Sequence, residues 1–154
     1  MDFPDGGKPR VSIVITATGN WRYTFNALRG ILKNSIGGPP FEVIVVDNAT
    51  NDETAKMLQQ TSGLKIIRQL TREELAICCN KGARLATGEF LVFLDDRSYV
   101  QPGWLWALLD TFDSRKGIIA VGAMVLYCDG SIAPSDGFFR DDATVQYDKE
   151  RDFR

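Results

Sequence analysis

An α/β domain with a mostly parallel sheet flanked by helices is the fold class this sequence predicts, on three observations. β-branched or apolar runs recur at Val11-Ser-Ile-Val-Ile-Thr16, Phe41-Glu-Val-Ile-Val-Val46 and Phe90-Leu-Val-Phe-Leu94. Segments with helical spacing of apolar residues lie between them, and glycine or proline marks most junctions. Strands alternating with helices of about ten to fifteen residues imply βαβ units and parallel pairing.

The first strand, Val11 to Thr16, leads through a turn at Thr18-Gly-Asn20 into a helix with an apolar stripe of Phe25, Leu28, Ile31 and Leu32. Gly37-Gly-Pro-Pro40 ends that helix and opens the second strand. Asp47-Asn-Ala-Thr50 follows, then a helix from Asp52 to Gln60 whose acidic start suits the helix dipole. Leu64-Lys-Ile-Ile67 is a short third strand. Thr71-Arg-Glu-Glu74 has the spacing of a capping box for the next helix. Its small-residue face, Ala76, Cys79, Ala83 and Ala86, is expected to pack on the sheet.

Phe90 to Leu94 reads as a strand buried on both faces, as inside a parallel sheet. Pro102 opens another helix, with Leu105, Leu108, Leu109 and Phe112 as its stripe. Ile118 to Tyr127 reads as a final strand, and Cys128-Asp-Gly130 as an antiparallel hairpin turn towards the C-terminus. The organisation expected is a flexible leader over 1–10, one ligand-binding domain over 11–147 and a tail over 148–154.

Composition narrows the function. Eighteen basic against 20 acidic residues, with no basic run, leave no stripe for a nucleic-acid backbone. No apolar run approaches a membrane span, and no signal-peptide pattern is present. The cysteines Cys78, Cys79 and Cys128 lack metal-ligand spacing and suit a reducing compartment. Histidine is absent, so chemistry here rests on carboxylates, a metal or positioning.

The informative polar residues sit where α/β proteins bind ligands, at the carboxyl ends of strands. Thr16-Ala-Thr-Gly-Asn20 can offer backbone donors, but it has neither a phosphate-loop lysine nor spaced glycines. Asp47-Asn-Ala-Thr-Asn-Asp52 can read the edge of a base, and the same residues also serve as a helix cap and Asx turn. Asn80, Lys81 and Arg84 stand on the helix before the acidic strand, where a solvated face is the plainer reading of the two cations. Asn80 is costly inside a helix unless its side chain has a use. Asp95 and Asp96 repel each other unless a cation relieves them; either a bound metal or the neighbouring Arg97 would do so.

These phrases, in this order, resemble the nucleotide-binding part of the family 2 glycosyltransferases, which have the Rossmann-like glycosyltransferase A fold. The likeness rests on Val11-Ser-Ile-Val-Ile15 with Trp21, Glu42 to Thr54, Asn80-Lys-Gly-Ala83, and Ala86 to Asp96. Gln101-Pro-Gly-Trp-Leu105, Val121-Gly-Ala123 and Leu126-Tyr-Cys-Asp-Gly130 continue it. It looks most like bacterial enzymes that build O-antigen, capsule or rhamnan-type polysaccharides. The resemblance implies a cytoplasmic transferase, at the inner face of the membrane where its acceptor is lipid-linked. It implies transfer of a sugar from a UDP- or dTDP-sugar donor to the hydroxyl of a glycan or lipid-linked acceptor. By position, Thr16 and Thr18 would lie under the nucleoside, Asn48 would face the base and Asp47 would support its loop. Asn80 and Gly82 would lie near the ribose and diphosphate, and Asp95 and Asp96 would meet the ribose and a divalent cation, Mn or Mg.

Two departures follow. The last position of the acidic motif, normally the most direct metal ligand, is Arg97, which opposes a metal and suits direct contact with the diphosphate. The acceptor-side segment with the catalytic carboxylate would lie beyond Arg154, as in a chain truncated at that side; Asp136 and Asp141 have no positional match. A degenerate, non-catalytic domain that binds nucleotide or a partner is therefore the alternative. A receiver-type signalling domain would need its acidic pair after the first strand, where Thr16-Ala17 stand instead.

Overall fold

β1 (Val11–Ala17) is fully buried and organises the first part of the chain. In chain order there follow α1 (Trp21–Asn34), β2 (Phe41–Asp47), α2 (Thr54–Gln59), β3 (Leu64–Arg68), α3 (Leu75–Leu85), β4 (Phe90–Asp95), α4 (Trp104–Asp113), β5 (Gly137–Phe139) and β6 (Val145–Tyr147). The computed structural model describes residues 1–4, 7–133, 137–139 and 145–147. Asp136, Asp141 and the expected tail over 148–154 lie outside them. The chain divides into two compact units, Met1–Ala107 and Leu108–Arg154.

The first unit holds a four-stranded parallel sheet in the order β3-β2-β1-β4. The chain builds outward from β1 through β2 to β3, then returns to place β4 on the other side of β1. The crevice between β1 and β4 is thus a topological switch point, the usual ligand position in open α/β sheets. The α/β class and its parallel pairing are as the sequence predicts.

The core lies on β1 and β2, where Ile13, Ile15, Ile44 and Val45 are inaccessible to solvent. Val14, Ile44, Val46 and Cys78 of α3 form one cluster. α3 comes this close because residue 82 is glycine: a Cβ there would stand 2.3 Å from Val14 Cγ1. The face of α3 that packs on the sheet therefore carries Cys78 and Gly82; of the alanines expected there, Ala86 packs against the cluster and Ala76 is exposed.

Several other expectations are corrected. β4 is not buried on both faces, since Leu91 is 46% and Phe93 52% exposed on a strand paired with β1 alone among the described residues. An edge strand and a central strand carry the same apolar run, and only the pairing separates them. The capping box does not form; α3 begins at Leu75 after Glu74, with no side-chain cap. The N-terminal leader is docked at its start, where Phe3 is buried and its N–H donates to the Ser62 carbonyl.

In the second unit, the strand expected over 118–127 is absent. Leu126 and Ile132 make an isolated antiparallel bridge around Cys128-Asp-Gly130, with Tyr127 N–H donating to Ser131 O at 2.8 Å. β5 and β6 pair antiparallel, Phe138 opposite Gln146. Among the described residues no helix is long and apolar enough to cross a membrane.

Candidate nucleotide site at the carboxyl edge of the sheet

Register decides which polar side chains share a face. Thr16 of β1 pairs with Asp95 of β4, so both project on the side where Val14 meets α3. Asp96, one residue on, turns to the other side and reaches Thr24 of α1. Its carboxylate is 2% exposed and accepts from the Thr18 N–H at 3.0 Å and the Thr24 hydroxyl at 3.2 Å. Burial raises the pKa of Asp96 above the ordinary carboxylate range, against the lowering effect of those hydrogen bonds.

Asp95 is held differently. Arg97 donates Nε to Oδ1 at 2.9 Å and Nη2 to Oδ2 at 2.7 Å, and its backbone N–H adds a third bond to Oδ1 at 2.8 Å. This fork pulls the Asp95 pKa down and the Arg97 pKa up. Both side chains stay open to solvent, the Asp95 side chain 46% and that of Arg97 69% exposed.

The loop after β2 is built by its own side chains. Asp47, buried, accepts from the N–H and hydroxyl of Thr50 and pairs with Arg68 at 3.3 Å. Asn48 is 4% exposed, and its carboxamide bonds both backbone groups of Glu73. Directly after Asn48, Ala49 adopts the left-handed region at φ 53°, a conformation costing on the order of 1 kcal/mol outside glycine. Asp52 then bridges two helices: Oδ2 accepts from the N–H groups of Asn20 and Trp21 at the start of α1, while Oδ1 holds Thr54 at the start of α2. Burial raises its pKa, but those four donors outweigh it and bring the group down to about 2.

Thr18, Asn48, Arg72, Glu73 and Leu75 line an open cleft of about 690 Å³ beside these groups. Thr16, beneath the strand ends, has a buried hydroxyl with no hydrogen-bond partner among the described residues. Such an atom costs stability unless a ligand satisfies it. Asn80 is exposed on α3. Lys81, read as solvated, instead bonds Glu73 at 2.7 Å and Gln69 at 2.8 Å. A second hollow, of about 760 Å³, opens at the opposite sheet edge among Phe3, Pro40, Phe41 and Leu64. The partly buried Glu42 carboxylate that lines it is already engaged by Lys65, Ser12 and Thr87.

Sequence reasoning placed Thr16, Thr18, Asp47, Asn48, Asp95, Asp96 and Arg97 at strand ends, and the fold brings them to one edge. It missed Arg72, on the cleft wall, and the bridging role of Asp52. A cation just past the third strand was the available signal for Arg72.

The donor set does not fit a divalent cation. Both oxygens of Asp95 face the Arg97 guanidinium, and Asp96 is buried and committed to Thr18 and Thr24. Among the described residues, no group of three or more His, Cys, Asp or Glu is arranged to hold a metal. Metal sites need free oxygens converging on one point.

A parallel sheet with a switch point, and polar side chains and a cleft at its carboxyl edge, is the arrangement in which open α/β domains bind ligands. Residues 12–146 match the family described as Glycosyl transferase family 2, and the chain belongs to that family. It is 30% identical over 138 residues to the O-antigen biosynthesis protein RfbC of Myxococcus xanthus, covering 84% of this chain and 10% of RfbC. S. aureus TarS 1–349 in complex with UDP shares the fold with a TM-score of 0.59 and 22% identity, over 75% of this chain and 39% of that one. The mannosyltransferase PcManGT from Pyrobaculum calidifontis, solved with GDP-Man and Mn2+, gives a TM-score of 0.53 and 24% identity, over 60% of this chain and 29% of that one. The chain spans 10% to 29% of the length of three curated relatives it matches.

Proposed function

We propose that this chain is the donor-binding part of a glycosyltransferase. It transfers a sugar from a UDP- or dTDP-sugar to an acceptor hydroxyl in polysaccharide or cell-envelope glycan synthesis, on the cytoplasmic side. The observation that carries the reading is the Thr16 hydroxyl, buried at the β1–β4 switch point with no hydrogen-bond partner among the described residues. A nucleoside has hydroxyl, carbonyl and imide groups that can complete such a site. In this reading Thr16 and Thr18 support the nucleoside, and Asp47 and Asn48 hold the loop that walls it. Asn80 approaches the ribose and diphosphate from α3, and Asp95 and Asp96 fix Arg97 and Thr18. Family membership and the complexes of relatives with UDP and GDP-Man support it. The acceptor is a glycan or lipid-linked hydroxyl.

Thermal denaturation tests the reading. UDP or dTDP is expected to raise Tm in proportion to the logarithm of its concentration above Kd. No shift with any nucleoside diphosphate, with or without Mn2+ or Mg2+, would overturn it. The Arg97–Asp95 fork favours a second reading, a binding domain without turnover, because it fills the carboxylate of the acidic motif. Release of UDP from a UDP-sugar by the complete protein excludes that second reading.

A further inference from the structure

The acidic motif of this chain is internally neutralised. Arg97 stands two residues after Asp95, and its Nε and Nη2 close a fork on that carboxylate at 2.9 and 2.7 Å. The Arg97 N–H closes a tight turn onto the same oxygen, so the guanidinium is tied to the end of β4 through backbone as well as side chain. A fork of this kind fixes the plane of the guanidinium, which a lysine could not do.

Two of the five N–H groups of a guanidinium are spent on Asp95. The others point away from it, on a side chain 69% exposed at the ligand edge of the sheet. Asp96 adds its own constraint: through the Thr18 N–H it ties the same turn to a residue that lines the cleft. The end of β4 therefore presents a prepositioned cation with planar donors beyond the two that Asp95 uses. Fixed donors of this kind stabilise charge at a phosphoryl oxygen without reorganising.

We propose that Arg97, clamped by Asp95, makes the positive contact to the donor's diphosphate, and that this protein binds its nucleotide without a divalent cation. The inference rests on the donor-site reading above. Asp95 then acts as a positioning residue for Arg97, and its carboxylate is not a metal ligand.

Calorimetric titration of UDP and dTDP into the protein, in chelator and then in Mn2+, tests this, with uridine titrated as the arm that lacks phosphate. The expected result is equal UDP affinity under both conditions. R97A is expected to lose about tenfold or more of it, as for a charge-assisted hydrogen bond, while keeping its fold by circular dichroism and its uridine affinity. R97K, which retains charge but not the fork, is expected to fall between the two. UDP binding that requires Mn2+ would overturn the inference and leave the donor-site reading standing. Chelator-resistant binding that R97A does not weaken would overturn it equally. Absence of nucleotide binding under both conditions would overturn the donor-site reading, and this inference with it.

Discussion

The carboxamide of Asn48 pairs with both backbone groups of Glu73: Nδ2 donates to the carbonyl and Oδ1 accepts the N–H, each at 2.9 Å. This side chain does for residue 73 what a neighbouring strand would do, and it holds the segment before α3 out of helical pairing. The Glu73 carboxylate, in turn, is drawn to Lys81. The result is one wall of the cleft.

Asn48→Ala should therefore cost more than an ordinary surface change. It leaves the Glu73 N–H and carbonyl without their buried partner, and about 1–3 kcal/mol is expected in urea unfolding. Asn48→Asp keeps the acceptor but sets a carboxylate against the Glu73 carbonyl, and should destabilise at least as much at neutral pH. Both variants should weaken UDP binding by loosening the wall. Retained stability in Asn48→Ala would show that the pairing is incidental.

Gly82 faces Val14 across the α3–sheet contact, where a Cβ would stand 2.3 Å from Val14 Cγ1. Alanine would gain about 1 kcal/mol of helix propensity. Overpacking costs about 1–3 kcal/mol, so Gly82→Ala should be net destabilising. Val14→Ala removes the clashing methyls. A double-mutant cycle should then show coupling, the pair costing less than the two changes added together.

What the sequence revealed and what it hid follow from the range of the interactions. β1 and β2 were legible because a β-branched run describes a strand that is buried wherever it lies. β4 was misjudged because Leu91 and Phe93 carry no mark of the edge they occupy. The polar residues at strand ends were legible as a group, since the parallel order alone sends them to one edge. Their partners were not. Asp52 reaches back to Trp21, and Asp96 to Thr24, over separations of 31 and 72 residues that no local pattern encodes. The face of α3 was misread for a related reason: alanines promise close packing, yet Gly82 permits a closer one.

Glu42 links stability to acid pH. Burial alone would raise its pKa, but Lys65, Ser12 and Thr87 together bring it from 4.5 to about 2. A carboxylate depressed in the folded state contributes stability that is complete above the unfolded value and is lost as pH falls from about 4.5 towards 2. Glu42→Gln keeps acceptors for Ser12 and Thr87 but loses the Lys65 ion pair. It should lower stability by about 1 kcal/mol at pH 7, allowing for the partial exposure of Lys65. Its acid-limb slope between about pH 4.5 and 2 should also be shallower than that of the parent. Parallel curves for the two proteins would assign the acid sensitivity elsewhere.

Thr16 sets stability against binding at one atom. Its hydroxyl is buried and has no partner among the described residues, so Thr16→Val, which replaces it with a methyl of similar shape, removes a desolvation cost. The variant should be more stable than the parent by about 1 kcal/mol in urea unfolding without ligand. If the hydroxyl is completed by the nucleoside, the same change should weaken UDP and uridine alike by several-fold, whereas Arg97→Ala should weaken UDP alone. Loss of stability in Thr16→Val would mean that the hydroxyl is already satisfied in the free protein. Gain of stability with unchanged uridine affinity would move the nucleoside away from the β1–β4 crevice.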